Sequence, residues 1–414
     1  MTAAVEAPPE IETTVAPPPP PRERLVALDV FRGMTIAGML LVNNPGSWNA
    51  IYPPLEHAEW NGWTPTDLIF PFFLFIVGIT THLSLGTRAA QGADTGALVG
   101  KIIRRGLTIV LAGLLLAWFP FFWWGKIAGN AAPTFLDRVV YRIEHLRFLG
   151  VLQRIGIAYM CAALLTLRTS RRTQVAVVVA ILVGYWMVMT LVPVPGTGKI
   201  GYFVLSQPGS TLAAWTDRLI LGTNHIWVSS KTYDPEGPLS TVPAIATAML
   251  GVFAGRWIGD KKRSLIERIA GLYGAGSLAM LLGSLWSWVF PINKNLWTSS
   301  YVVFTAGFAC VCLATCLWLI DVQGSRGWTK PFVVYGVNPL VAFLGSGLMA
   351  RIIDSLWKVK VGDKMVSVHQ LMFSWLAFGY LSDRFASLLW ALSFVTLWLA
   401  ILWPLYRRNI IIRL

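Results

Sequence analysis

Apolar positions in this chain come in long blocks. Runs of about 17–25 apolar residues, the length that carries an α-helix across a bilayer, recur about ten times. They cover 25–44, 67–86, 102–124, 148–167, 174–192, 242–259, 269–290, 298–320, 332–350 and 385–405. A further apolar stretch, 369–381, is too short to cross and reads as interfacial or re-entrant. The pattern predicts an all-α fold: a polytopic membrane helix bundle of about ten transmembrane helices plus that short segment. Residues 1–21 differ, being rich in Pro, Ala and Glu with a Pro run at 17–21. They lack a basic stretch followed by an apolar core, so they read as a disordered, extended cytoplasmic arm and not a signal peptide. The remainder, 22–414, reads as one transmembrane domain.

Composition agrees. Hydrophobic residues make up 55% of the chain and charged residues 13%, roughly half the charged share of a soluble domain. The net charge of +14 therefore reads as Lys and Arg flanking spans and meeting anionic membrane lipids, not as a nucleic-acid surface. With the N-terminal arm inside, the short inner connections carry more Lys and Arg than the longer outer ones. That places both termini in the cytoplasm. The long polar insertions, 43–66, 125–147 and 193–241, then fall on the outer side, where long loops point to a functional site. Cys161, Cys310, Cys312 and Cys316 all lie in apolar runs, so neither a disulfide framework nor a metal site is expected. No phosphate-binding loop, dinucleotide fingerprint, zinc spacing or nucleophile elbow is present.

The polar residues that need explaining gather around the first two spans: Asp29 and Arg32, Asn43 and Asn44, then His57 to Asp67. An ionisable group at membrane depth costs roughly 2.5–3.5 kcal/mol, so it demands a partner or a task. Asp29 and Arg32, three apart on a helix, can simply pair. Thr64-Pro65-Thr66-Asp67 has the form of a helix start, which gives Asp67 a structural reason to exist and leaves it free to orient an imidazole. His57, flanked by acids, Trp60 and Asn61, is either a loop histidine at the interface or the proton acceptor of a reaction near neutral pH. Asn43 and Asn44 are either helix-end caps or donors to a developing oxyanion. Gln153 and Arg154 lie inside a span, where an Arg faces the bundle interior or holds a phosphate. Glu236, in the turn 233–241, is either a site acid or a charge on a solvated turn. His82, His145, His225 and His369 read as packed or interfacial residues.

Several of these segments resemble the heparan-alpha-glucosaminide N-acetyltransferase family of transmembrane acyltransferases, in a bacterial-type form, which implies the inner membrane of a bacterium. The resemblance rests on Leu28-Asp29-Val30-Phe31-Arg32-Gly33, Val42-Asn43, His57-Ala58-Glu59-Trp60-Asn61-Gly62 and Asp67-Leu68-Ile69-Phe70-Pro71. It continues through Gly150-Val151-Leu152-Gln153-Arg154-Ile155-Gly156, Asp234-Pro235-Glu236-Gly237 and Asn295-Leu296-Trp297-Thr298-Ser299-Ser300-Tyr301. It implies an acyl-CoA donor, usually acetyl-CoA as co-substrate, delivered from the cytoplasm. It also implies an amino-sugar, glycan or lipid-linked acceptor across the membrane, modified on nitrogen or oxygen. The family's active histidine falls on His57 and its polar asparagine on Asn43.

On that basis the expected catalytic residues are His57, Asn43, Asn61 and Asp67. Arg32, Arg104, Arg105, Gln153 and Arg154 are expected at the CoA, and Asn44, Trp60 and Glu236 at the acceptor. His57 takes the acceptor proton or carries the acetyl itself. A homodimer is compatible with the sequence. The competing reading is a transporter or flippase of a glycan or lipid precursor, which would also use Asp29, Arg32 and Arg154 but would be expected to show an internal repeat.

Overall fold

A computed structural model describes residues 25–86, 92, 94–123, 125–377 and 381–412. The arm 1–21, Trp124 at the end of the expected third span, and 378–380 of the short segment lie outside the described residues.

The chain is a helix bundle. Its long helices are α1 (Val26–Asn43), α2 (Pro65–Thr81, continued by a π-turn His82–Gly86) and α3 (Thr95–Trp118). A short α4 (Phe135–Glu144) precedes α5 (Val151–Arg168) and α6 (Arg171–Leu191). After α7 (Leu212–Leu221) come α8 (Pro238–Ile258), α9 (Leu265–Trp286) and α10 (Ser299–Leu317, with a π-turn Trp318–Val322). The last elements are α11 (Lys330–Val337), α12 (Pro339–Arg351, with a π-turn Ile352–Leu356), α13 (Val368–Leu376) and α14 (Asp383–Arg407). Two antiparallel hairpins, Pro193–Val194 with Lys199–Ile200 and Lys358–Val361 with Lys364–Ser367, decorate the connections.

Among the described residues, nine helices are long and apolar enough to cross a membrane. The tenth expected stretch is α3, which starts earlier than 102–124 because Asp94 caps it, accepting from the backbone of Gly96 and Ala97, and ends earlier because Pro120 disfavours helical geometry at Phe119. Its first half carries Lys101, Arg104 and Arg105. Its second half exposes Leu107, Leu111 and Leu115 at i, i+4 spacing, a stripe that lipid covers.

The expected span 332–350 is two helices. Pro339 has no N–H to give and forces Asn338 out of helical geometry, to φ −123° and ψ 56°. The break is filled by the chain after α14: the Asn338 amide donates to Ile410 O at 2.9 Å and accepts from Ile412 N at 2.9 Å.

Two close crossings set the frame of the site. Gly78 of α2 lies against the backbone of α8, where a Cβ would stand 1.9 Å from Ala248 O. Gly251 of α8 returns the contact, with a Cβ position 2.0 Å from Phe75 O. Small residues of this kind let membrane helices meet backbone to backbone. Gly106 of α3 and Gly156 of α5 form the second crossing. The first turns of α2, α5, α8 and α10 and the last turn of α1 thereby meet at one end of the bundle.

Candidate active site

At that end, α2 begins with a reciprocal cap. Thr64 is the N-cap residue and Asp67 the third helical position. Asp67 Oδ2 accepts from the backbone N–H of Thr64 and of Ala58, both at 3.0 Å. The loop before α2 is pinned onto the same turn, since Thr64 Oγ1 donates to Glu56 O at 2.5 Å and Thr66 Oγ1 to Pro54 O at 3.2 Å. These bonds deliver His57 above Asp67, with Nδ1 2.6 Å from Oδ1. A carboxylate held at a helix N-terminus by backbone donors can only accept, so Nδ1 carries the proton and Nε2 presents its lone pair. Asp67 is 1% exposed and the His57 side chain 46%: the carboxylate is sealed and the ring is reachable. Behind them the Tyr301 hydroxyl donates to Asp67 O at 2.5 Å.

His57 stands at the mouth of a cavity of about 140 Å³. The cavity runs between α1, α2, α5 and α12, with Asn43, Glu236 and Lys294 at its polar end. Met39, Ile69, Phe73, Leu152, Ile155, Leu340 and Phe343 line its apolar depth. On α1 it reaches from Asn43 to Thr35, about 12 Å of helix at the usual rise. At its far end is Pro339, at the break between α11 and α12.

Behind the polar end lies an ion network. Arg147 forks onto Asp234, at 2.8 and 2.5 Å, and also donates to Glu236. Burial works against a charged Glu236, yet Arg147, Arg154 and Lys294 outweigh it and hold the carboxyl below its usual range. Asp217 is different: burial, aggravated by the nearby Asp234, pushes its carboxyl up to about 7, although its Oδ2 accepts the Asp234 N–H at 2.8 Å.

The structure brings together four of the residues expected from the sequence. His57, Asp67, Asn43 and Glu236 meet at the cavity mouth. Glu236 is not on a solvated turn: it is 6% exposed and faces Arg147. Arg32 lies one turn of α1 beyond Thr35, where it donates to Asp29 at 2.5 Å and to Gly336 O at 2.6 Å. Asn61 and Trp60 brace neighbouring loops. Asn61 bonds Ser206 and Asn293, and the Trp60 indole donates to Leu205 O. Asn44 caps α1 by donating to Leu40 O. Arg104 and Arg105 are exposed on α3, Arg105 over the Tyr159 ring, and neither lines the cavity.

Gln153 and Arg154 sit at the His57 end of the bundle, fully enclosed. Gln153 packs against Gly113. Arg154 donates to Ser240 Oγ at 2.5 Å and to Thr241 Oγ1 at 3.3 Å and lies over Trp297, which makes it a buttress of α8. The remaining histidines pack as expected: His145 stacks on Tyr141 and His225 on Phe148.

Sequence reasoning missed Lys294, Arg147 and Tyr301. Lys294 is the most consequential: its Nζ lies 3.0 Å from Nε2 of His57 and 3.2 Å from Nδ1. The signal available was a lone lysine in the short junction between two apolar runs, beside Asn295-Leu296-Trp297.

The sequence model of the family "Heparan-alpha-glucosaminide N-acetyltransferase, catalytic" matches residues 24–290, which include Asn43, His57, Asp67, Arg147 and Glu236. The chain belongs to this family. It is 31% identical over 382 residues to human heparan-alpha-glucosaminide N-acetyltransferase and likewise to the mouse protein, an alignment covering 81% of this chain and 55% of each relative. The chain thus spans about half the length of the curated relatives it matches.

Proposed function

We propose that this protein is an integral-membrane acyltransferase that moves an acetyl group from acyl-CoA, entering from the cytoplasm, to an amino-sugar or hydroxyl acceptor on the outer side. The observation that carries this reading is the His57–Asp67 pair, 2.6 Å apart, at the mouth of a cavity that runs deep between α1, α2, α5 and α12. A thioester arm entering along that cavity meets Nε2. His57 takes the proton of the acceptor as its nitrogen or oxygen attacks the thioester carbonyl, or takes the acetyl and passes it on. Asp67 fixes the tautomer and steadies the imidazolium that forms. Asn43, on the cavity wall, is the side-chain amide assigned to polarise the carbonyl. Arg32, near the far end, is assigned to the CoA phosphates. Glu236 and Trp60 face the acceptor side.

The test is transfer of labelled acetyl from acetyl-CoA to glucosamine by purified protein. His57→Ala abolishes it, and Asp67→Asn, which lets Nδ1 lose its proton, lowers kcat by roughly a thousand-fold or more. Wild-type rates in His57→Ala would refute the role given to His57, and no transfer by the wild-type protein would leave a transporter as the better account.

A further inference from the structure

Lys294 has no assigned task, and its position is unusual. It lies in the connection 287–298 between α9 and α10, which turns back at Lys294–Trp297. There Trp297 N–H donates to Lys294 O at 3.1 Å, and Trp297 takes a left-handed φ of 52°. A bulky residue adopts that conformation only where its surroundings enforce it, and such turns cluster at functional sites. Here the Trp297 indole is anchored to Thr247 Oγ1 at 3.0 Å, and Asn293 Oδ1 accepts the Leu296 N–H at 2.9 Å. The turn is therefore held rigidly while it aims the Lys294 stem into the cavity mouth.

The ammonium lies 3.0 Å from Nε2 and 3.2 Å from Nδ1, nearly equidistant from the two nitrogens and therefore over the face of the His57 ring. Nδ1 is committed to Asp67, and the in-plane lone pair of Nε2 stays open for the acceptor proton. The ammonium sits on a flexible four-carbon stem. An oxygen on the carbon being attacked beside Nε2 falls within its reach.

We propose that Lys294 is a catalytic residue of the acyl transfer: its ammonium, poised over the His57 ring, donates to the thioester carbonyl oxygen and carries the negative charge that develops there. This rests on the acetyl-transfer reading above. The acceptor atom bonds to the carbonyl carbon, the C=O π pair moves onto oxygen beside Lys294 Nζ, and the acceptor proton goes to Nε2. The C=O bond then re-forms, the C–S bond breaks, and the departing thiolate takes the proton from His57, yielding the acetylated acceptor and CoA thiol. Burial lowers the Lys294 pKa from its ordinary value; Glu236 and Asp67 oppose that shift, and Arg154 and Arg147 add to it.

The experiment compares wild type, Lys294→Met, Lys294→Arg and His57→Ala, with glucosamine as acceptor and thiol release as readout. Size-exclusion profile and thermal midpoint of each variant check folding. Lys294→Met should lose about a hundred-fold or more in kcat, with KM for acetyl-CoA changed by less than about three-fold. Lys294→Arg should recover at least about a tenth of the wild-type rate. The alkaline fall in kcat that comes from deprotonating Lys294 should be absent in the arginine variant. If His57→Ala is inactive while Lys294→Met keeps kcat, or loses only acetyl-CoA affinity, this proposal is overturned and the acetyl-transfer reading stands. If His57→Ala is as fast as wild type, both fall together.

Discussion

At the scale of single residues, the site is built from partners that each solve two problems. Asp67 caps α2 and holds His57; the cap was readable from Thr64-Pro65-Thr66-Asp67 because Thr64 is three positions away, whereas the bond to His57, ten positions away, was only left open. Lys294 and Arg147 were not readable. Lys294 meets His57 across 237 positions and Arg147 meets Asp234 across 87; local spacing carries no information about contacts made by helix packing. Asp217 gives a residue-scale test of the buried network. Its carboxyl, raised to about 7 from an unfolded value near 3.8, holds its proton in the folded state where the unfolded chain would release it. Stability contributed by this group is therefore present at acid pH and lost as pH rises from about 4 through about 7. Asp217→Asn, which keeps an acceptor for the Asp234 N–H, should raise the thermal midpoint at pH 8 and leave it unchanged at pH 5. An equal midpoint at both values would show that the carboxyl is not buried in charged form above neutrality.

At the scale of elements, hydrophobic run length located the helices well, because spanning the hydrocarbon requires it. It missed the boundaries that caps decide, as at Asp94, and it missed the break at Asn338, since an apolar run reads the same whether its helix is one piece or two. Pro339 was the available signal. The element that places Asp67 is α2, and the one that places Glu236 is α8. They are locked by Gly78 and Gly251. Gly251→Ala puts a methyl group 2.0 Å from Phe75 O, so the helices must separate. The variant should lose about 1–3 kcal/mol of stability and a larger share of activity than of acetyl-CoA binding, since the His57 and Glu236 sides of the mouth are displaced from each other. Thermal midpoint and kcat measured together check this; unchanged values for both would mean the crossing does not set the site.

At the scale of the whole molecule, the buried and half-buried charges at one end of the membrane bundle, among them Asp67, Arg147, Arg154, Asp234, Glu236 and Lys294, make sense with respect to the cavity beside them. Its polar mouth holds His57, Asn43, Glu236 and Lys294, and its apolar depth runs along α1 to the level of Pro339. A soluble enzyme has no need to reach its base through the interior of a helix bundle, whereas an enzyme whose donor and acceptor lie on opposite faces does. The family resemblance implies this division of substrates, and the proposed function assigns the cavity as its route. The most direct test uses proteoliposomes sorted to a single protein orientation, with labelled acetyl-CoA supplied at the cytoplasmic face and glucosamine trapped on the other side. The account predicts acetylated glucosamine inside the vesicles with wild type and none with His57→Ala. Product formed only when donor and acceptor share one face, or formed equally by His57→Ala, would contradict it.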